Sequence, residues 1–118
     1  MRSLSAACLR DLPAPDASWN VILGYLDRYA AEIDGYAYGD RHGGYQRFLQ
    51  EAEQRFSETR EVDGDLHGVL ALIYLVYRRH RHSEAEFVDI DVHRPFVQAL
   101  LRQARALRGA HRGSLHNK

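Results

Sequence analysis

The stretch DGYAYGDRHGGY at residues 34–45 contains the side chains whose types and spacing most clearly suggest binding. Tyrosine and arginine are enriched at the centres of protein interfaces, because each joins a large contact area to hydrogen-bonding capacity. The arginines that follow residue 77 supply forked donors for carboxylates of a partner. We therefore predict that the stretch is a recognition loop for another protein. The predicted partner-binding residues are Tyr36, Tyr38, Arg41, His42, Tyr45, Arg78 and Arg79.

Both features also have a purely structural interpretation. The glycines can simply end one helix and start the next, with the tyrosine rings lying over the end of the fold. The basic run at residues 78–82 suits a helix end, where unsatisfied carbonyls carry partial negative charge. A nucleotide-binding loop is not indicated, because the glycines accompany neither a Walker lysine nor a preceding strand.

A basic surface is the second candidate site. Because 16 cations offset 16 carboxylates, the formal net charge is zero and any nucleic-acid binding has to be local. At about 100° per residue, the arginines of the last predicted helix fall within about 120° of one another, an arrangement that can contact phosphates. The sequence lacks helix-turn-helix, zinc-finger and RNP-type patterns, and carboxylates of the other helices can neutralise the cluster. The candidate nucleic-acid residues are Arg78, Arg79, Arg81, Arg94, Arg102, Arg105 and Arg108.

A third candidate is a metal site in the segment that follows residue 79. Imidazole and carboxylate groups are ligands that zinc, manganese and iron accept. On a helix, His80 and His82 would point about 200° apart, so they can share an ion only where the chain is extended. Neighbouring arginines also repel a cation, and neither HExxH nor paired Glu-x-x-His motifs occur. The candidate ligands are His80, His82, Asp89, Asp91 and His93.

Catalysis is not indicated by the residue pattern. Cys8, the single cysteine, has no identifiable base to pair with, and no G-x-S-x-G elbow occurs. Asp89 and Asp91 could divide acid and base roles, but no pattern indicates the desolvated cleft that would separate their pKa values. We therefore favour a protein that is not an enzyme, and we predict no cofactor.

The length of 118 residues suits a single helical domain, with residues 1–15 as an N-terminal segment and 110–118 as a frayed tail. Hydrophobic residues at 45% and charged residues at 27% are typical of a soluble globular protein. The single cysteine and the lack of a signal-peptide core favour the cytoplasm. The apolar run at residues 66–77 would extend only about 18 Å as a helix, too short to cross a membrane.

Four segments repeat apolar residues at a spacing of three and four, which predicts four principal helices. The first follows an N-cap at Asp16 or Ser18 and ends at Gly35. The second occupies residues 43–57. A short additional helix is expected within residues 3–12.

The third and fourth predicted helices belong to the second half of the chain. Residues 66–77 are apolar on almost every side, which predicts a buried central helix. The fourth helix has Pro95 in its first turn and ends at Gly109. Between them, Ser83–Glu86 resembles a capping box, and FVDIDV alternates like an extended connection or a short irregular helix.

These elements predict an all-α fold, either a compact four-helix bundle or an orthogonal helical array, with a short N-terminal helix. The functional hypothesis is a small protein-binding module that acts as an inhibitor, immunity-type factor or regulatory adaptor. Nucleic-acid binding and a metal-dependent function are the alternatives. A homodimer is also expected, because a third helix that is apolar on all sides offers more surface than one small bundle covers.

Overall fold

A computed structural model describes residues 4–82 and 90–116, with side chains for residues 4–79 and 93–109. These residues form seven helices and no strand, which confirms the predicted all-α fold class. None of the helices in these ranges combines the length and the apolar character that crossing a membrane requires. The helices are α1 (Ala6–Arg10), α2 (Trp19–Arg28), α3 (Ala30–Ile33), α4 (Gly35–Arg41), α5 (Tyr45–Thr59), α6 (Leu66–His82) and α7 (Ile90–His116).

Helix α6 forms the centre of the fold, as predicted for the apolar run at residues 66–77. Every residue from Val69 to Tyr77 is buried except Tyr74, which is partly buried. Helices α3, α4, α5 and α7 all pack against it. Burying one large aliphatic side chain contributes about 1.5–3 kcal/mol, so this run supplies much of the hydrophobic stabilisation. Helices of the same chain cover residues 69–77, and the homodimer stays a prediction.

The region between residues 18 and 41 differs from the prediction. Ser18 caps α2 as expected, because its side-chain oxygen accepts a hydrogen bond from the Val21 N–H at 3.3 Å. The continuation of this helix to Gly35 is wrong, since the single turn α3 follows and Asp34, with a φ of 35°, ends it. Gly35 instead begins α4, where a Cβ atom would lie 2.8 Å from the carbonyl oxygen of Ala71. The glycine therefore serves a close approach between α4 and α6.

Helix α7 is longer than predicted at both ends. It begins five residues before Pro95 and continues seven residues beyond Gly109, so neither residue marks an end. Residues 90–92 of the FVDIDV segment are helical, which overturns the extended alternative for them. The first three residues of that segment and the Ser83–Glu86 capping box lie outside the described residues.

The N-terminal segment contains the short helix expected within residues 3–12. The Ser5 side chain caps α1 by accepting a hydrogen bond from the Cys8 N–H at 3.1 Å. The Tyr25 hydroxyl donates to the Cys8 carbonyl oxygen at 2.9 Å, and the Cys8 side chain is fully buried. These contacts attach α1 to α2.

Candidate functional site

The glycine-rich stretch at residues 34–45 is mostly helical, so the prediction that it forms a loop is wrong, while its predicted role in recognition stays a prediction. Helix α4 covers residues 35–41, and Gly43 and Gly44, with φ of 100° and 103°, form the short turn into α5. Side chains two residues apart on a helix point about 200° apart. Tyr36 and Tyr38 therefore contact different neighbours, and the predicted partner-binding residues separate into two groups.

The first group lines a cleft of about 790 Å³ between α4, α5 and the C-terminal half of α6. Leu49 and Leu75 form the floor of the cleft, and their exposed fractions are 6% and 2%. Tyrosine, glutamine and arginine side chains form the walls and the rim, and none of the lining residues that the structure describes is a carboxylate. The structure brings four of the seven predicted partner-binding residues to this cleft. The lining residues are Tyr36, Tyr45, Gln46, Leu49, Gln50, Leu75, Arg78 and Arg79.

Tyr36 connects the aromatic wall of the cleft to its cationic end. Its ring packs edge-on against Tyr45 at 4.8 Å and against Tyr74 at 6.0 Å between centroids. The guanidinium carbon of Arg78 lies 5.9 Å from the centroid of the same ring, within reach of a cation–π interaction. Hydrogen bonding with the Tyr36 side chain raises the pKa of Arg78 above its ordinary value, so this group stays charged.

Arg78 also has unused hydrogen-bonding capacity. Its Nε atom is buried and has no hydrogen-bond partner among the described residues. Within that part of the chain, Arg78 forms no ion pair with a carboxylate. A guanidinium presents five donors in a planar fork that matches a carboxylate. The cleft therefore contains a cation that no carboxylate among the described residues pairs with.

Arg79, by contrast, is neutralised by a carboxylate of α5. Its two terminal nitrogens donate to both oxygens of Glu53 at 2.9 and 2.8 Å, which is the bidentate arrangement. This hydrogen bonding raises the pKa of Arg79 above its ordinary value. The Nδ1 atom of His93 on α7 lies 3.7 Å from the same carboxylate. Arg79 thus lines the cleft without adding an uncompensated charge to it.

The second group is Tyr38, Arg41 and His42, of which Tyr38 fastens α4 to the start of α6. The Tyr38 hydroxyl donates to an Asp65 carboxylate oxygen at 3.0 Å, and burial raises the pKa of Tyr38 to about 12. The Tyr38 ring lies 4.4 Å from His42 and 4.9 Å from His67 between centroids. Arg41 donates to a carbonyl oxygen of its own helix at 3.4 Å. For these three predicted residues the contacts favour the structural interpretation.

Two arginines of α7 hold the N-terminal segment. Arg105 donates to the carbonyl oxygens of Leu12 and Pro13 at 3.0 and 3.4 Å. Arg108 donates to the carbonyl oxygen of Leu9 at 3.0 Å. These carbonyls lie at and after the end of α1, where no helical N–H reaches them. Both arginines therefore satisfy backbone groups of this chain.

The described arginines do not form one free basic surface. Arg79 is paired with a carboxylate, and two others bind the N-terminal segment. Arg94 and Arg108, at the ends of the α7 cluster, are about 21 Å apart at 1.5 Å per residue. Arg102 is exposed, and the side chain of Arg81 lies outside the described residues. This distribution gives the nucleic-acid alternative no support.

The proposed metal ligands are only partly described. The side chains of His80, His82 and Asp91, and the whole of Asp89, lie outside the described residues. His93 is described and lies next to Glu53. Among the side chains that the structure describes, no group of three or more His, Cys, Asp or Glu residues could hold a metal ion.

Apart from Tyr45, sequence reasoning missed the residues of α5 that line the cleft. Gln46 and Gln50 are four residues apart and Glu53 follows three residues later, a spacing that places all three on one side of a helix. That spacing could have been recognised. Only the packing of α5 beside α6 shows that this side borders a cleft with arginines at its end.

Comparison of the chain with models of protein families, with curated proteins and with solved structures gave no match. The geometry of the cleft therefore carries the functional argument.

Proposed function

We propose that this protein binds an acidic segment of another protein in the cleft between α4, α5 and α6. The observation that carries the proposal is Arg78, a cation in a cleft that has an apolar floor and whose described lining contains no carboxylate. A partly buried charge is costly unless it is paired and hydrogen-bonded. A carboxylate of a partner would complete the fork of donors and remove that cost.

The rest of the cleft suits a peptide better than an isolated anion. Leu49 and Leu75 offer an apolar floor for one side chain of the partner. Tyr36 and Tyr45 present rigid aromatic rings, and tyrosine and arginine are the side chains that most often dominate binding energy at interfaces. The exposed glutamines of the rim can hydrogen-bond to a peptide backbone.

A module of this kind acts as an inhibitor, an immunity-type factor or a regulatory adaptor, because it masks the segment that it binds. We place this activity in the cytoplasm, where a reducing environment keeps a free thiol such as that of Cys8 unmodified.

A peptide library tests the proposal directly. The library has random positions around one fixed glutamate, and fluorescence anisotropy measures its binding to the wild type, Arg78→Gln and Arg102→Gln. Both variants lose one positive charge, but Arg102 is exposed on α7 and does not line the cleft. We expect Arg78→Gln to weaken binding at least tenfold and Arg102→Gln to leave it unchanged, because a charge-assisted hydrogen bond contributes about 1.5–3 kcal/mol.

Three results would refute the proposal. One is that no member of the library binds the wild type. Another is that Arg78→Gln and Arg102→Gln bind equally well while both melt like the wild type. The third is that a single-stranded oligonucleotide binds at low salt through Arg78 where peptides do not, which would point to nucleic acid.

A further inference from the structure

We infer that Glu53 sets the charge preference of the cleft, so that it accepts a segment with single carboxylates and discriminates against a doubly charged phosphate. This inference rests on the proposed function, since it concerns the ligand class of the same site. It assigns a specificity role to a residue that does not line the cleft itself.

The geometry that carries the inference is the pairing of Glu53 with Arg79. Glu53 follows Gln50 by three residues on α5, so it lies one turn beyond the rim of the cleft. Its two carboxylate oxygens accept one hydrogen bond each from Arg79, at 2.9 and 2.8 Å. The side chains are 26% and 43% exposed, so solvent only partly screens the pair. The carboxylate therefore occupies the fork of donors that Arg79 would otherwise offer to a ligand.

The sum of charges at this end of the cleft follows from that pairing. Among the described residues, the group formed by Arg78, Arg79 and Glu53 has two positive charges and one negative charge, so these three residues together offer a single positive charge to the ligand. One carboxylate of a partner matches this charge. A phosphoserine carries about −1.5 to −2 at neutral pH, so it would leave an excess of negative charge beside Glu53. Because Glu53 competes with the ligand for Arg79, the cleft binds phosphate poorly although two arginines line it.

A purely structural role for the pair makes a different prediction. If Glu53 and Arg79 only join α5 to α6, removing the carboxylate lowers stability and leaves the relative affinities of two ligands unchanged. If Glu53 sets the charge of the cleft, removing its carboxylate raises the affinity for both ligands, and it raises the affinity for the doubly charged ligand more. Electrostatic free energy scales with ligand charge, so the gain for the phosphate is about the square of the gain for the carboxylate.

The test compares two peptide libraries that differ only at their central position, glutamate in one and phosphoserine in the other. Anisotropy titrations measure both with the wild type, Glu53→Gln and the control Glu51→Gln. Glu51 lies on the same helix, pairs with Arg47 at 2.9 Å, and does not line this cleft. We expect Glu53→Gln to bind the glutamate library about threefold and the phosphoserine library about tenfold more tightly, with Glu51→Gln unchanged for both.

A second variant changes the charge in the opposite direction. Arg79→Gln leaves Glu53 unpaired, so both libraries should bind more weakly and the phosphoserine library should lose more. An unchanged ratio of the two affinities in folded Glu53→Gln and Arg79→Gln would overturn this inference and leave the proposed function standing. Failure of both libraries to bind the wild type would overturn the two together.

Discussion

The packing of α4 on α6 provides the sharpest test of the fold around the cleft. Gly35 begins α4, and an added Cβ atom would lie 2.8 Å from both the Ala71 carbonyl oxygen and the Tyr74 ring. Ala71 belongs to the buried centre of α6 and has no room to move away. The variant Gly35→Ala therefore has to separate the two helices. Gly24, an exposed glycine within α2 with no atom near its Cβ position, is the matched control.

The two substitutions have opposite expected effects on stability. Overpacking at position 35 costs about 1–3 kcal/mol, and the lower chain entropy of alanine returns about 0.5–1 kcal/mol, so Gly35→Ala should lose about 1 kcal/mol and at most about 2.5 kcal/mol. Gly24→Ala has only the favourable contribution and should gain about 0.5–1 kcal/mol. With about 4 °C per kcal/mol for a chain of this size, Tm should fall by about 4 °C, and by at most about 10 °C, in the first variant and rise by about 2–4 °C in the second.

Thermal unfolding followed by circular dichroism, together with urea titration, measures both variants. The reasoning is refuted if Gly35→Ala is as stable as Gly24→Ala, because α4 and α6 would then not touch at this position. A large loss in Gly24→Ala would equally contradict the placement of that residue on an exposed helix face.

Three further outcomes follow from the contacts of the N-terminal segment and of Tyr38. Arg105→Gln should lose about 1–3 kcal/mol of unfolding free energy and speed amide hydrogen exchange in α1. The control Arg102→Gln changes an exposed arginine and should match the wild type. Equal exchange rates in the two variants would contradict the contact between Arg105 and Leu12. Burial raises the pKa of Tyr38 to about 12, so the neutral hydroxyl contributes to stability below pH 10 and this contribution is lost as pH rises toward 12. In urea titrations at several pH values, Tyr38→Phe should lose less stability than the wild type over this range. The same loss in both proteins would contradict the burial of Tyr38. Cys8 is fully buried, and burial raises the pKa of its thiol. A thiol reagent should therefore label Cys8 only in denaturant. Rapid labelling of the native protein would be inconsistent with this packing.

Local patterns were sufficient for the longer helices, but not for α3 and α4. The apolar periodicity located the cores of α2, α5, α6 and α7, and the two predicted N-caps of α2, Asp16 and Ser18, include the residue that caps it, Ser18. These features depend on residues within a few positions of one another, which is why the sequence alone carries them.

Helix ends were less predictable, because glycine and proline act through their surroundings. Gly35 was interpreted as a stop, but Asp34 takes the left-handed conformation and the glycine instead allows close packing on α6. Gly109 and Pro95 both lie inside α7, whose face packs along α6. Tertiary packing can hold such residues in a helix at a cost of about 1 kcal/mol for glycine and about 3 kcal/mol for an interior proline.

The sequence by itself determined the all-α class, the central position of residues 66–77 and the presence of tyrosines and arginines suited to binding. Only the tertiary structure decided which of them meet: Tyr36, Tyr45 and Arg78 share a cleft, Tyr38 fastens two helices, and Arg105 holds the N-terminal segment. The physical reason is that helix periodicity depends on neighbours three and four residues away. The partner of a long polar side chain depends instead on how helices far apart in sequence are packed.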